Sequence, residues 1–161
     1  MALRDNRPAR LLLAAGGPLF AALIGGRSAR TAPETYARLR KPGWAPPAGA
    51  FGPVWTVLYV LIGVAGWRLT RGRPNRAVLA LHLVQLSLNA AWPGTFFRAG
   101  DKRAALAVVG ALDAALAAEI ALLARTDRPA AALLSPYLAW SLFATALNAS
   151  VSEPDGPGYL R

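Results

Sequence analysis

The sequence predicts an all-α membrane protein: one domain over residues 1–161, built as a bundle of five transmembrane helices with a lid loop between the first two. Three observations predict it. The first is charge-free length: 26 residues over Pro42–Trp67, 21 between Arg76 and Arg98, and 24 over Pro129–Ser152 carry no formal charge. About 20 helical residues suffice to cross a bilayer core of about 30 Å. A further 21 residues between Arg103 and Arg125 are interrupted only by Asp113 and Glu119. The second is that basic residues gather in short clusters at the ends of these stretches, where they anchor a helix at the membrane surface. The third is a single long connection, rich in proline and tryptophan where an ordinary linker would be polar.

The first apolar run, about residues 11–27, is short. Only 16 residues separate Arg10 from Arg27, and Arg4, Arg7 and Arg10 precede it. A signal peptide has the same outline. The reading here is an uncleaved helix whose flanking arginines snorkel to the interface, with Gly16-Gly17-Pro18 and Gly25-Gly26 allowing close packing on a neighbour. The remaining spans are expected at about 53–71, 76–98, 103–125 and 129–152. Tight turns at Gly72-Arg73-Pro74-Asn75, Gly100-Asp101 and Thr126-Asp127-Arg128-Pro129 separate them. The connection over about 28–52 is long for a compact domain, and such loops are more often functional than incidental. Within it, Trp44, Pro46, Pro47, Phe51, Pro53 and Trp55 make a stiff, donor-poor segment suited to covering a pocket.

Composition excludes several classes of function. With 55% hydrophobic residues and a mean hydropathy of +0.34, the net charge of +10 reads as membrane anchoring, not as a nucleic-acid surface. There is no cysteine, so disulfides, thiolate nucleophiles and cysteine-ligated metals are excluded. His82 is the single histidine and reads as a core or interface residue ahead of an axial haem ligand. No metal site is expected. Basic residues divide nine and nine between the two sides of the bundle, so the positive-inside rule sets no orientation. Arginine far outnumbers lysine, which with the alanine excess points to a GC-rich bacterial genome.

Polar and aromatic residues inside the spans fall on particular faces. His82, Gln85 and Asn89 lie at i, i+3, i+7 on the third span, on a face shared with Pro93 and Phe96. That face reads either as interhelical hydrogen bonding or as a cavity wall with polar anchors. Trp140, Ala144 and Asn148 share a face of the fifth span, where a large ring above a small residue leaves a flat slot or packs as knob and hole. Trp55 and Tyr59 supply an aromatic face on the second span. Trp67, beside Arg68, reads as an interfacial belt residue, and Trp92 as core or wall. Asp113 and Glu119 do not share a face, make no acid-base pair and receive no role. Gly110, Ala114 and Ala118 form a small-residue ridge that brings helices together within the monomer or across a homodimer.

Three segments in the right order carry a family resemblance: KPGWAPPAGAFGPVWTVLY (Lys41–Tyr59), LVQLSLNAAWPGTFF (Leu83–Phe97) and YLAWSLFATALNASV (Tyr137–Val151). The chain resembles the TspO/MBR family, the tryptophan-rich sensory proteins that include the mitochondrial translocator protein. The resemblance implies a five-helix bundle with an intrabundle pocket for a tetrapyrrole, protoporphyrin IX or haem, and a sensory or regulatory role without an obligate cofactor. It implies a ligand-binding set drawn from the lid (Tyr36, Trp44, Phe51), the second span (Trp55, Tyr59), the third (Gln85, Asn89, Pro93) and the fifth (Trp140, Ala144, Asn148). The rim arginines and Lys41 are expected to meet the propionates. Two alternatives stand beside it: an enzyme of light-dependent porphyrin degradation, with Trp55 and Trp140 as catalytic rings, or a transporter of porphyrins and small lipophilic compounds. The chain departs from the pattern at Thr35, where tryptophan is usual, at Ile62, where methionine is common, and at Pro93, where serine or threonine is usual. Sterol binding is not supported, because no Leu or Val lies one to five residues before Tyr159.

Overall fold

A computed structural model describes residues 32–71 and 75–152, together with Gly16, Gly17, Leu19, Ala21 and Leu23. Most of the first expected span, and with it the question of its cleavage, lies outside the described residues. The protein is an all-α membrane protein, and its described part is a helical bundle. Helix α1 covers Ala32–Arg38, α2 Phe51–Leu69, α3 Arg76–Pro93, α4 Lys102–Thr126 and α5 Arg128–Ser150. A 3-10 turn at Ala48–Ala50 leads into α2, and a π turn at Gly94–Arg98 extends α3. Among the described residues, three stretches are long and apolar enough to cross a membrane by length and composition: Ala48–Leu69, Lys102–Thr126 and Arg128–Ser150. Helix α3, which carries His82, Gln85 and Asn89 buried in one row, is not among these three.

Local chemistry sets the helix ends. Helix α2 carries Pro53 in its first turn, where a missing N–H costs no intrahelical bond. Side chains cap the other long helices, with Asn75 accepting from the Ala77 amide, Asp101 from Ala104 and Asp127 from Ala130. Pro93 removes the donor that would continue the α pattern of α3, and the chain passes into the π turn, closed by Ala99 N–H to Gly94 O at 3.0 Å. Gly100 then takes φ 65°, the left-handed conformation that favours glycine, and turns the chain into α4.

Helix α4 packs between α3 and α5, and α5 packs on α2. The main core gathers Ile62, Ala65, Leu116, Leu134 and Tyr137, none of them more than 0% exposed. Ala21 of the first segment joins this core. A Cβ on Gly17 would lie 2.8 Å from Leu86 Cδ1, so the first segment packs closely on α3 there and a larger residue would require the Leu86 side chain to shift.

The connection expected as an irregular lid contains α1 and is tied to the bundle at several points. Arg40 and Ser152 exchange backbone hydrogen bonds of 2.8 and 3.1 Å, joining the loop to the end of α5. Tyr36 Oη donates to Pro46 O at 2.8 Å, and burial pushes the Tyr36 phenol up, keeping it a donor. Both lysines serve as helix caps. Lys41 Nζ donates to Tyr36 O at 2.6 Å and Leu39 O at 2.9 Å, while Lys102 Nζ donates to Ala149 O and Val151 O at 2.9 and 2.7 Å. A compact ammonium with rotatable donors suits such converging carbonyls.

At the opposite end Arg68 holds Asp127 through bonds of 2.9, 3.1 and 3.2 Å. Burial works against the ionised Asp127, but the Arg68 hydrogen bonds, the Ala130 amide and the charges of Arg68 and Arg71 outweigh it and hold the carboxyl below its ordinary range. A lowered carboxylate pKa contributes stability that is present above the unfolded value and is lost as pH falls through the folded one. In Asp127→Asn, which keeps an N-cap, the thermal midpoint should therefore fall less than that of the wild type as pH drops below the ordinary carboxylate range. Parallel acid-to-neutral melts of the two proteins in detergent check this.

Candidate functional site

A cavity of about 350 Å³ lies under the lid, bounded by α1, α2, α3, the π turn and α5. Each wall follows from a helical repeat. On α2, Phe51, Trp55 and Tyr59 recur every four residues and stack along one face. Trp55 and Tyr59 have ring centroids 5.4 Å apart, and Trp55 also meets Tyr137 edge-on at 6.0 Å. On α5, Trp140 and Ala144 line the opposite wall, and Phe51 meets Trp140 edge-on at 5.8 Å. Tyr36, with its ring against Phe51 at 5.3 Å, closes the cavity from the lid. The walls are thus flat aromatic rings, with open space where Ala144 carries only a methyl group.

The polar part of the wall comes from Tyr59 and Asn89. Tyr59 Oη donates to Asn89 Oδ1 at 2.9 Å, and Asn89 Nδ2 donates to Tyr137 Oη at 2.8 Å. Asn89 and Tyr137 are buried, so each bond made here avoids the cost of an unpaired buried group.

Of the expected ligand-binding residues, the structure brings Tyr36, Phe51, Trp55, Tyr59, Asn89, Pro93, Trp140 and Ala144 to this one cavity. Three stand elsewhere. Trp44 is 51% exposed and rests edge-on against Phe143 at 5.6 Å, about 60° around α5 from Trp140 and about 100° from Ala144. Gln85 is fully buried but turns away from the cavity, with Nε2 3.3 Å from His82 Nδ1. Asn148 is buried at the far edge of the α5 face, and neither of its side-chain polar atoms has a hydrogen-bond partner among the described residues. Lys41 is turned onto backbone carbonyls and the Tyr36 ring, whereas Arg38 is exposed on α1.

Sequence reasoning missed Ala32, Pro33, Ala48, Gly52 and Phe97, and left Trp92 undecided between core and wall. Phe97 is instructive. An unbroken α-helix places Phe96 on the face of Asn89 and Pro93, yet Phe96 is buried in the small core under the lid and Phe97 lines the cavity. The π turn takes in one residue more than an α turn and so advances the register. Pro93 was the available signal.

His82 and Glu119 form a separate buried pair. His82 Nδ1 lies 2.8 Å from Glu119 Oε1, with the side chains 2% and 0% exposed. Asp113 leaves α4 on the other side and accepts a 2.6 Å bond from Thr145 Oγ1. The two carboxylates therefore serve different seams, α3 with α4 and α4 with α5.

The TspO/MBR family profile matches residues 13–153, most of the chain. The chain belongs to the TspO/MBR family. It is 42% identical over 118 residues to the translocator protein of Homo sapiens, covering 70% of each chain. It is 36% identical over 125 residues to the tryptophan-rich protein TspO of Chlorobaculum tepidum, covering 73% of this chain and 77% of that one. To the tryptophan-rich sensory protein of Cereibacter sphaeroides it is 36% identical over 115 residues, covering 71% and 73%. Family membership and three apolar helices together make this an integral membrane protein of the TspO/MBR type.

Proposed function

We propose that this TspO/MBR protein is a tetrapyrrole-binding sensory or regulatory protein, most simply of a bacterial membrane, whose cavity takes protoporphyrin IX or haem. One observation carries the reading: five aromatic side chains from three helices, Tyr36 on α1, Phe51, Trp55 and Tyr59 on α2 and Trp140 on α5, line a single cavity that Ala144 borders with only a methyl group. A lining so rich in flat rings, with a small residue among them, favours a planar, conjugated ligand. Its volume of about 350 Å³ falls in the range of small-molecule sites, about 300–1,000 Å³. Tyr59 and Asn89 give a few directional polar contacts, and exposed Arg38 near the lid suits a propionate. Names such as tryptophan-rich sensory protein, borne by a relative, agree with a sensing role.

A second reading has specific support from the same walls, because both tryptophans of the α2 and α5 faces border the cavity. Indole is readily oxidised. Beside a bound, illuminated porphyrin in air, Trp55 and Trp140 would act as redox-active partners, and the porphyrin would be the substrate. The experiment that separates the readings is aerobic illumination of purified protein with protoporphyrin IX, against dark and protein-free controls. For degradation, Trp55→Phe and Trp140→Phe should keep most of the affinity and lose most of the light-dependent loss of absorbance, about tenfold or more. That is the pattern of an interaction made only along the reaction path. Bleaching no faster than the protein-free control leaves the sensory reading alone.

A further inference from the structure

Helix α4 carries, near its middle, a carboxylate turned to α5. Asp113 Oδ2 accepts from Thr145 Oγ1 at 2.6 Å, and the same hydroxyl lies 3.0 Å from the Ser141 carbonyl oxygen one turn earlier. Threonine has one proton to give, so it cannot fully serve both acceptors. Asp113 Oδ1 is buried without a hydrogen-bond partner among the described residues, and so is Ser141 Oγ, on a residue only 2% exposed. No described basic residue pairs with Asp113; the buried and part-buried ion pairs join Arg68 to Asp127 and His82 to Glu119.

This corner of the α4 and α5 seam is therefore rich in acceptor oxygen and poor in positive charge. A carboxylate left ionised at such depth is costly unless something compensates it. Glu119 finds His82 on the α3 side. On α5, the face that meets Asp113 carries Tyr137, Ser141 and Thr145 at four-residue spacing, all uncharged hydroxyls. One positive charge, a proton or a small cation, would complete the set. Ser141 and Thr145 each follow a cavity residue, Trp140 and Ala144, and so lie about 100° around the helix from it. Neither they nor Asp113 line the cavity.

We propose that Asp113, Thr145 and Ser141 form a binding site for a small monovalent cation, sodium, which takes the place of a proton on Asp113. Ligands that are all oxygen suit a hard ion. Among the described residues no three His, Asp or Glu side chains gather as a multivalent metal would require, so one carboxylate among neutral oxygens matches a single positive charge. Asp113 supplies the charge. Ser141 Oγ and Thr145 Oγ1 supply lone pairs, the Thr145 proton resting on the Ser141 carbonyl. Each sodium ion bound releases one proton, and the site is neutral in both states. The inference is independent of what the aromatic cavity binds.

The test uses the full chain in detergent, in sodium chloride or in choline chloride of equal ionic strength. A hydrophobic carbodiimide adds only to a protonated carboxyl, and peptide mass spectrometry reads its attachment at Asp113. Sodium should slow that labelling by about fivefold or more and raise the thermal midpoint by about 3 °C or more, as an ion that binds only the folded chain does. Ser141→Ala and Thr145→Val, each removing one ligand oxygen, should raise the sodium concentration for half-protection about tenfold. Asp113→Asn should fold and lose the sodium-dependent midpoint shift, which decides the matter if the reagent does not reach Asp113. Equal labelling of Asp113 in the two salts would mean that a proton alone occupies the site. That result, the absence of a sodium-dependent midpoint shift in wild type, or a shift that persists in Asp113→Asn would overturn the proposal.

Discussion

Replacing Ala144 by phenylalanine should abolish most tetrapyrrole binding while leaving the bundle intact. Residue 144 lies one turn from Trp140 on the cavity face of α5 and borders the cavity with only a methyl group. A benzyl group there occupies the slot without adding charge or a hydrogen bond. The protein loses no core contact, because the new ring enters space that is empty of side chains, so helix content and thermal midpoint in detergent should stay near wild type. Affinity for protoporphyrin IX should fall by about a hundredfold, the loss of roughly 3 kcal/mol of contact. Ala144→Ser, which adds one small atom, should lose much less. An unchanged affinity in the phenylalanine variant would mean that the face of Trp140 and Ala144 is packing surface.

The largest effect on stability is expected at His82. Glu119 is 0% exposed, and the imidazole is its only hydrogen-bond partner among the described residues. Removing one member of a buried pair leaves a polar group desolvated and unmatched, at a cost of about 3–5 kcal/mol, whereas replacing both by apolar residues is often neutral. His82→Leu should therefore lower the thermal midpoint in detergent by roughly 10 °C. The double variant His82→Leu/Glu119→Leu should recover most of that. With Glu119→Leu completing the cycle, a double-variant loss equal to the sum of the two single losses would show that the two side chains are not energetically coupled.

Much of the architecture is legible in the sequence because bilayer physics leaves few options. A charge-free stretch such as Pro129–Ser152 must satisfy its own backbone, and a helix does so. The faces were legible for the same reason: a fixed rotation per residue puts Trp55 with Tyr59, and Trp140 with Ala144, whatever the neighbours. Other parts depend on contacts between elements, which periodicity does not carry. Gln85 shares the face of Asn89, yet its amide lies beside His82 and its side chain is fully buried outside the cavity lining. Trp44 belongs to a stiff aromatic segment, but the backbone pairing of Arg40 with Ser152 places the loop so that this ring falls on Phe143. The exchange of Phe96 for Phe97 follows from one π turn after Pro93, a local departure from the repeat that the face argument assumes. Glu119 looked like an isolated intramembrane carboxylate because its partner is 37 residues away in sequence.

The central claim, that the aromatic cavity is a tetrapyrrole site, is tested most directly by titrating the purified protein with protoporphyrin IX in the dark and following the shift of the porphyrin absorption band. A saturable shift at one porphyrin per chain, absent from empty detergent micelles and strongly weakened in Ala144→Phe, is the predicted result. A non-saturating uptake equal to that of empty micelles would contradict it.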